Sequence, residues 1–264
     1  MTPSSKASKY KLVCTLVVIS SICLQGCAKP TKPQLLVAAA TSLIKPLNEI
    51  VERFELETGN LVDLHYAATG KLAQQIEHGA PVDLFLSADT THIDDLIMKG
   101  RLRKDSRRIY ARGQLVLWQR KNSGIIIRNI NDLKRPNVKR IGIANPAFAP
   151  YGIAAQEALT TLNLWGKGSP QIIWADDVRQ ALQFAETGNV DGALIARSLI
   201  MNQPGRTVII PNSAYKPIDH SLAIVRTTRN PGNSLSLANY ICGNYGRTVF
   251  LKYGFTLPPD IETK

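Results

Sequence analysis

The chain has 264 residues, of which 44% are apolar and 20% charged, and its formal net charge is +12. This composition is typical of a soluble globular protein with one large or two modest domains. The positive charge does not indicate nucleic-acid binding, because its densest cluster, residues 101–108 (RLRKDSRR), contains no aromatic side chain and is predicted to be a solvated loop.

Residues 1–26 predict a lipoprotein signal peptide that is not part of the globular fold. Three lysines precede the 13-residue apolar run 12–24, which is too short to span a bilayer comfortably. The run leads into residues 24–27 (LQGC), which resemble the lipobox of bacterial lipoproteins. That resemblance implies cleavage before Cys27, acylation of its sulfur, and a lipid-anchored tether over residues 27–33. The alternatives are an ordinary signal peptide and an uncleaved anchor.

Strands and helices alternate through the next part of the chain. Apolar runs of strand length are followed by apolar residues at helical spacing. This alternation is typical of a parallel sheet covered by helices on both faces. The predicted strands are 35–40, 61–66, 82–88 and 114–119, and the predicted helices are 43–58, 71–78 and 91–99.

A second series of the same kind begins near residue 140 and predicts a second lobe. The predicted strands of this series are 140–144, 171–175 and 190–196, and its predicted helices are 152–162 and 177–186. The strand 220–226 is predicted to return to the first lobe, ahead of the helix 234–252. We therefore predict an α/β protein of two lobes, each a mainly parallel sheet flanked by helices. Lobe I comprises residues 34–116 plus 223–264, and lobe II comprises residues 117–222.

Four strand-to-helix junctions could form a binding site. Ligands of open α/β sheets bind beyond the carboxyl ends of strands, where helices begin. A helix N-terminus offers unpaired N–H groups and a partial positive charge, and a hydroxyl there adds a donor without adding charge. Facing lobes would therefore form an oxyanion pocket from neutral donors. Each junction alone is more simply explained as a helix cap. The junctions are Thr41/Ser42, Thr69/Gly70, residues 150–152 (PYG) and residues 176–178 (DDV).

Five segments together resemble the periplasmic molybdate-binding proteins of ABC transporters. This resemblance implies a two-lobed periplasmic-binding-protein fold, type II-like, with the ligand in the cleft between the lobes. It also implies a receptor that captures molybdate, and tungstate as well, and delivers it to an ABC permease with a cytoplasmic ATPase. The segments are AAATSL (38–43), ATGKLAQQIEHGAPVDLFLSAD (68–89), IANPAFAPYGIAAQEAL (143–159), ADDVRQAL (175–182) and KYGF (252–255).

The resemblance also implies individual ligand contacts. Ser42 and Thr69 would donate from their hydroxyls, with Thr41 beside the first, while Tyr151 and Val178 would donate from their backbone N–H groups. The family often has a tyrosine near the end of the strand that corresponds to residues 190–196, and this chain has none there. The Thr41 or Tyr151 hydroxyl is expected to replace it. Neutral donors suit a fully deprotonated dianion.

The remaining expectations follow from this assignment. The protein is predicted to be an exported, membrane-anchored lipoprotein on the periplasmic or cell-envelope face, a monomer with no enzymatic activity, cofactor, directly ligated metal or nucleic acid. An enzyme is disfavoured because Ser42 lacks a G-x-S-x-G context and the histidines show no nucleophile or metal pattern. Two alternatives remain: a binding protein for another oxyanion, such as sulfate or thiosulfate, and a structural or adhesive lipoprotein.

Overall fold

Two five-stranded sheets form the framework of the computed structural model, which describes residues 34–166 and 168–258. The strands are β1 (Gln34–Ala40), β2 (Leu61–Ala67), β3 (Leu84–Ser87), β4 (Arg108–Gly113), β5 (Leu115–Arg120), β6 (Arg140–Ala144), β7 (Gln171–Ala175), β8 (Gly192–Ala196), β9 (Gly205–Ile209) and β10 (Ile218–Ile224). The first sheet has the order β2-β1-β3-β10-β4, and the second has the order β7-β6-β8-β5-β9.

Helices flank both sheets and form where apolar residues recur at helical spacing. The helix α1 shows this pattern, because its apolar face is buried and Gly59, with φ of 68°, ends it in the left-handed conformation that favours glycine. The helices are α1 (Ile44–Thr58), α2 (Thr69–Glu77), α3 (Thr91–Met98), α4 (Pro150–Thr161), α5 (Val178–Thr187), α6 (Arg197–Ile200), α7 (Pro231–Cys242) and α8 (Asn244–Lys252).

One strand in each sheet runs against the other four. β1 is parallel to β2 and β3, whereas β10 is antiparallel to both β3 and β4, so β4 runs in the same direction as β3. In the second sheet β5 is the reversed strand, because it is antiparallel to β8 and β9. β10 and β5 occupy the same place in their sheets and are the strands through which the chain changes lobe. The predicted two-lobed α/β class is confirmed.

The chain crosses between the sheets at slightly different residues from those predicted. Only Gln114 separates β4 from β5, and all of β5 pairs in the second sheet. All of β10 pairs in the first sheet, including residues 218–222. The predicted boundaries at 116/117 and 222/223 therefore fall inside strands, whose backbone pairing makes each strand join its sheet as a unit. By pairing, the crossings lie at Gln114 and before Ile218.

Some elements differ from the sequence-based prediction. β4, β9 and α6 were not predicted, and the predicted helix 234–252 is two helices that meet at Gly243. A Cβ at Gly246 would lie 2.0 Å from the Ile241 carbonyl oxygen, so the start of α8 packs tightly against the end of α7. The basic cluster 101–108 is not one solvated loop, because Arg108 begins β4 and Arg107 pairs in bidentate fashion with Asp94.

Both faces of the first sheet are buried. Leu84 and Leu86 of β3 belong to a large apolar cluster that extends through both lobes, whereas Phe85 between them belongs to a smaller cluster under α2 and α3. This arrangement holds the strand ends in fixed positions relative to the helix N-termini. Among the described residues, no helix combines the length and apolar character needed to cross a membrane.

Candidate functional site

A small cavity between the two lobes brings together all five predicted ligand residues of the fold. The volume open to the centre of a water molecule is only about 10 Å³, far below the roughly 300–1,000 Å³ of pockets for drug-sized ligands. None of its lining side chains carries a charge, and the five predicted residues are all buried. The lining residues are Ala40, Thr41, Ser42, Ala68, Thr69, Ala88, Ala149, Pro150, Tyr151 and Val178.

The first lobe contributes the ends of two adjacent parallel strands. β1 and β2 pair up to Ala40 and Ala67, so the segments that follow them begin side by side. The cap positions before the 3₁₀ turn Thr41–Leu43 and before α2 are occupied by Ala40 and Ala68, without a side-chain cap hydrogen bond. The hydroxyl residues therefore lie inside the first turns. They are not the helix caps that the sequence alone favoured.

The second lobe contributes the N-termini of α4 and α5. These helices follow the parallel strands β6 and β7, whose paired ends lie next to each other. The Asp177 carboxylate accepts the N–H groups of Arg179 and Gln180 at 2.8 and 2.9 Å, so it is bound to its own helix. First-turn N–H groups such as those of Tyr151 and Val178 have no intrahelical acceptor.

Three of the four helix or turn N-termini at the cavity have no acidic side chain that would neutralise their partial positive charge. Acidic residues are favourable in a first helical turn because they neutralise the partial charge of the N-terminus. The first turns of α2 and α4 and the 3₁₀ turn Thr41–Leu43 contain none, whereas the N-terminus of α5 carries the Asp177 carboxylate at its cap. An anion in the cavity would therefore meet several uncompensated dipoles.

The two hydroxyls of the first lobe are held differently. Thr69 Oγ1 accepts a hydrogen bond from the Ala88 N–H at 3.1 Å, which leaves its own proton free to donate. Ser42 Oγ lies 3.0 Å from Nε2 of His220, and the Ser42 carbonyl accepts a hydrogen bond of 2.6 Å from Ser198. Thr69 is thus oriented as a donor by the fold, whereas Ser42 depends on the state of His220.

Sequence reasoning missed His220 and Ser198, which hold Ser42 in place. They lie 178 and 156 residues from Ser42 along the chain. His220 is fully buried, and desolvation lowers its pKa to about 4. The predicted return of this strand to the first lobe brings the histidine to the site, since β10 pairs with β3 and β4. No local motif indicates that His220 then lies beside Ser42.

The Tyr151 hydroxyl is one of the two groups predicted to replace the family tyrosine. Its hydroxyl is buried without a hydrogen-bond partner among the described residues, and desolvation raises its pKa. A Cβ at Gly113 would lie 2.0 Å from this oxygen, so the hydroxyl sits against the crossing between β4 and β5. Gly113 does not line the cavity. Thr41, which does, is the better-placed substitute.

Charged groups near the cavity are paired with one another. Lys71 contacts Asp176 across the lobes at 2.9 Å, and His92 contacts Asp89 at 2.7 Å. Burial opposes ionisation of Asp89, but its bonds with His92 outweigh burial and lower its pKa. The same hydrogen bond raises the pKa of His92. Because these charged groups bind one another and do not line the cavity, the cavity offers only neutral donors.

Direct contacts between the lobes close them over the cavity. The Gly70 N–H donates to the Phe148 carbonyl at 2.8 Å, and the Ser198 hydroxyl donates to the Ser42 carbonyl. Each of these bonds joins a residue beside the cavity in one lobe to a residue of the other lobe. A bound molecule would therefore be enclosed on both sides.

Other expectations concern metals and the N-terminus. The described residues contain no group of three or more His, Cys, Asp or Glu side chains placed to hold a metal ion. Cys27, the predicted signal peptide and the tether lie outside the described residues.

In comparisons with known proteins, the matching family model and the similar sequences are described as solute-binding, substrate-binding or molybdate-binding proteins. Residues 35–256 match the family model described as bacterial extracellular solute-binding protein. The molybdate-binding protein ModA of Azotobacter vinelandii is 32% identical over 92% of this chain and 97% of its own length. A putative ABC transporter substrate-binding lipoprotein of Bacillus subtilis, YvgL, is 29% identical over 85% of this chain and 87% of its own.

Comparison with solved structures also finds a molybdate-binding protein of Azotobacter vinelandii. The periplasmic molybdate-binding protein of Azotobacter vinelandii superimposes with a TM-score of 0.81 at 30% identity, covering 85% of this chain and 99% of that one. The family resemblance inferred from the sequence segments is thereby confirmed.

Proposed function

The chain belongs to the family of bacterial extracellular solute-binding proteins, and we propose that it captures molybdate outside the cytoplasm and delivers it to an ABC permease. The ligand site in this proposal is the cavity between the lobes. Ser42 and Thr69 donate from their hydroxyls, Tyr151 and Val178 donate from their backbone N–H groups, and Thr41 adds a further hydroxyl.

The cavity's lining of uncharged donors is the observation that carries the proposal. A hydrogen bond to a charged group contributes about 1.5–3 kcal/mol, so four of them contribute about 6–12 kcal/mol before the cost of ordering and closure. Micromolar binding requires about 8 kcal/mol. Four such bonds at the upper end of this range reach that affinity without a lysine or arginine in the cavity, provided that ordering and closure cost no more than about 4 kcal/mol.

The same lining favours a fully deprotonated dianion. An oxyanion that keeps a proton must place that proton on an acceptor, and no carboxylate lines the cavity. This disfavours protonated phosphate, whereas sulfate and molybdate carry no proton to place. Discrimination between those two then depends on size, since metal–oxygen bonds are longer than sulfur–oxygen bonds. Tungstate, with similar size and charge, is expected to bind as well.

We assign the protein to the membrane surface through a lipid on Cys27. The support is the order of basic, apolar and small residues before this cysteine, together with the similarity to a Bacillus subtilis protein described as a lipoprotein. More than one acyl chain is needed for stable anchoring. Mass spectrometry of the purified protein should therefore find Cys27 as the first residue, with the added mass of the acyl chains. A first residue other than Cys27, or a Cys27 without added mass, would contradict the lipid assignment.

In this proposal the protein acts as a monomer and needs no cofactor. Its partner is the permease of the transporter, whose ATPase lies on the cytoplasmic side. The permease would bind the surface that the two lobes form when they are closed around the anion.

Calorimetry on the detergent-solubilised full chain tests the proposal. Molybdate, tungstate, sulfate and phosphate are titrated separately under the same conditions. Molybdate and tungstate are expected to bind at micromolar affinity or better, and phosphate is expected not to bind. Sulfate that binds as tightly as molybdate would contradict the assignment and favour a sulfate-type receptor.

A further inference from the structure

The hydrogen bonds of His220 determine which way the Ser42 hydroxyl points. Nδ1 of His220 lies 3.2 Å from the Ile218 carbonyl oxygen, and Nε2 lies 3.0 Å from Ser42 Oγ. A carbonyl oxygen only accepts hydrogen bonds, so Nδ1 carries the proton in the neutral ring. Nε2 is then an acceptor, and the Ser42 hydroxyl must donate to it.

This orientation is wrong for binding an anion. A serine hydroxyl has one proton, and here that proton is directed at His220. Ser42 would present only lone pairs to the cavity and would repel an oxyanion. Thr69 shows the contrast, because it accepts from the Ala88 N–H and keeps its own proton for a ligand.

We propose that His220 takes up a proton from solvent when the oxyanion binds, so that Nε2–H donates to Ser42 and the Ser42 hydroxyl turns its proton to the anion. His220 is in this view a positioning residue that acts through Ser42 and does not touch the ligand. The inference rests on the proposed function and deepens it. It makes anion affinity dependent on pH through one buried histidine. Ser42 binds an oxygen of the anion, and no metal ion is ligated by the protein.

The surroundings of His220 allow both of its states. Desolvation holds its pKa near 4 when the cavity is empty, and the carboxylates of Asp89 and Asp219 oppose that effect. Asp219 is paired with Arg112, and Asp89 with His92. The rings of Tyr110, Tyr151 and Phe255 pack around the imidazole with centroids 6.3, 5.9 and 5.1 Å away, and burial raises the pKa of both phenols, which keeps them neutral.

The sign of the pH dependence follows from linkage. In the complex the Ser42 hydroxyl donates to the anion and its oxygen accepts from Nε2–H of the imidazolium, so the pKa of His220 is higher in the complex than in the empty protein. Affinity then rises as pH falls below the pKa in the complex, by up to about tenfold per pH unit for one proton. At higher pH the affinity is low and constant, because Ser42 must give up its bond to a neutral, buried Nε2.

Calorimetry on the full chain with molybdate measures this coupling directly. Titrations in buffers of different ionisation enthalpy give the number of protons taken up per anion. The expected number is a fraction that grows towards one as pH is lowered, with affinity about tenfold or more higher near pH 5.5 than near pH 8.5. Binding without proton uptake throughout this range would overturn the inference and leave the proposed function intact. Absence of any molybdate binding would overturn both.

Three variants identify the group that takes up the proton. His220→Gln keeps an amide beside Ser42 but cannot titrate, and Ser42→Ala removes the connection, so both should lose the proton uptake. His92→Gln is the matched control. His92 also lies near the cavity and has a raised pKa, but it is hydrogen-bonded to Asp89 and not to Ser42, so the variant should keep the proton uptake. Protons that the anion itself takes up in solution would change the measured proton number equally in all variants. Uptake that persists in His220→Gln and Ser42→Ala, or that disappears in His92→Gln alone, would refute the assignment. If His220→Gln does not fold, the comparison of Ser42→Ala with the unmodified protein decides.

Discussion

Replacement of Thr69 by valine isolates one hydroxyl of the proposed site. Valine has nearly the shape of threonine, so the buried position stays filled while the donor is lost. The Thr69 hydroxyl accepts the Ala88 N–H at 3.1 Å and keeps its proton for the cavity. The variant therefore removes two separate interactions, one of the ligand and one of the fold.

Each loss has its own magnitude and its own assay. A lost hydrogen bond to a charged ligand costs about 1.5–3 kcal/mol, which raises the molybdate Kd about 10- to 150-fold in calorimetry. The buried Ala88 N–H left without its acceptor costs about 1–3 kcal/mol of folding stability. For a domain of this size each kcal/mol lowers Tm by about 2–4 °C in a thermal melt without ligand.

Thr69→Ser is the control for this prediction. It keeps the hydroxyl and the bond to the Ala88 N–H, so its Kd should stay within a few-fold of the unmodified protein. A Thr69→Val protein that melts at a lower temperature but binds molybdate with unchanged affinity would refute the reasoning. It would mean that the hydroxyl only supports Ala88 and does not contact the ligand.

Three further predictions follow from the contacts between the lobes and around the cavity. Gly70→Ala places a Cβ 3.0 Å from the facing lobe, so lobe closure is strained and the molybdate Kd should rise about tenfold or more. Gly232→Ala, whose Cβ meets nothing within 4 Å, should bind normally, and equal Kd values for the two variants would contradict this role of closure. Lys71→Ala removes an exposed ion pair that contributes only about 0.2–1 kcal/mol, so its Kd should rise at most about fivefold and less at high salt; a large, salt-independent loss would show a direct ligand contact. His92→Gln should lower Tm at mildly acidic pH, where the raised pKa of His92 and the lowered pKa of Asp89 keep both groups charged. That deficit should shrink as pH rises through the His92 pKa, and a deficit independent of pH between about 5 and 9 would contradict the pairing.

The elements that could be predicted from the sequence are those with strong apolar patterns. β6 and β7 have the predicted bounds, because each is a short apolar run, although β6 is mostly buried and β7 lies at the edge of its sheet. β4 and β9 were missed, since both strands carry arginines and neither is a continuous apolar run; β9 has no buried residue at all. The break at Gly243 was also missed, because the apolar spacing continues across it and only the packing of Gly246 against Ile241 requires two helices.

The site was predictable where it depends on local chain order, and the return of the strand 220–226 to the first lobe was predicted too, but the contact between His220 and Ser42 was not. Ser42, Thr69, Tyr151 and Val178 all follow strands, so the rule that ligands bind at strand ends placed them together. His220 comes to Ser42 only through the return of β10, which joins segments 178 residues apart. Its effect on the Ser42 hydroxyl could not be inferred from either residue alone.

X-ray diffraction from crystals of the protein grown with molybdate tests the central claim most directly. An anomalous difference map recorded at the molybdenum absorption edge should show one strong peak in the cavity between the lobes. The oxygens around that peak should lie within hydrogen-bond distance of the Ser42 and Thr69 hydroxyls and of the Tyr151 and Val178 N–H groups. A map with no peak in the cavity, or with molybdenum bound only elsewhere, would contradict the account.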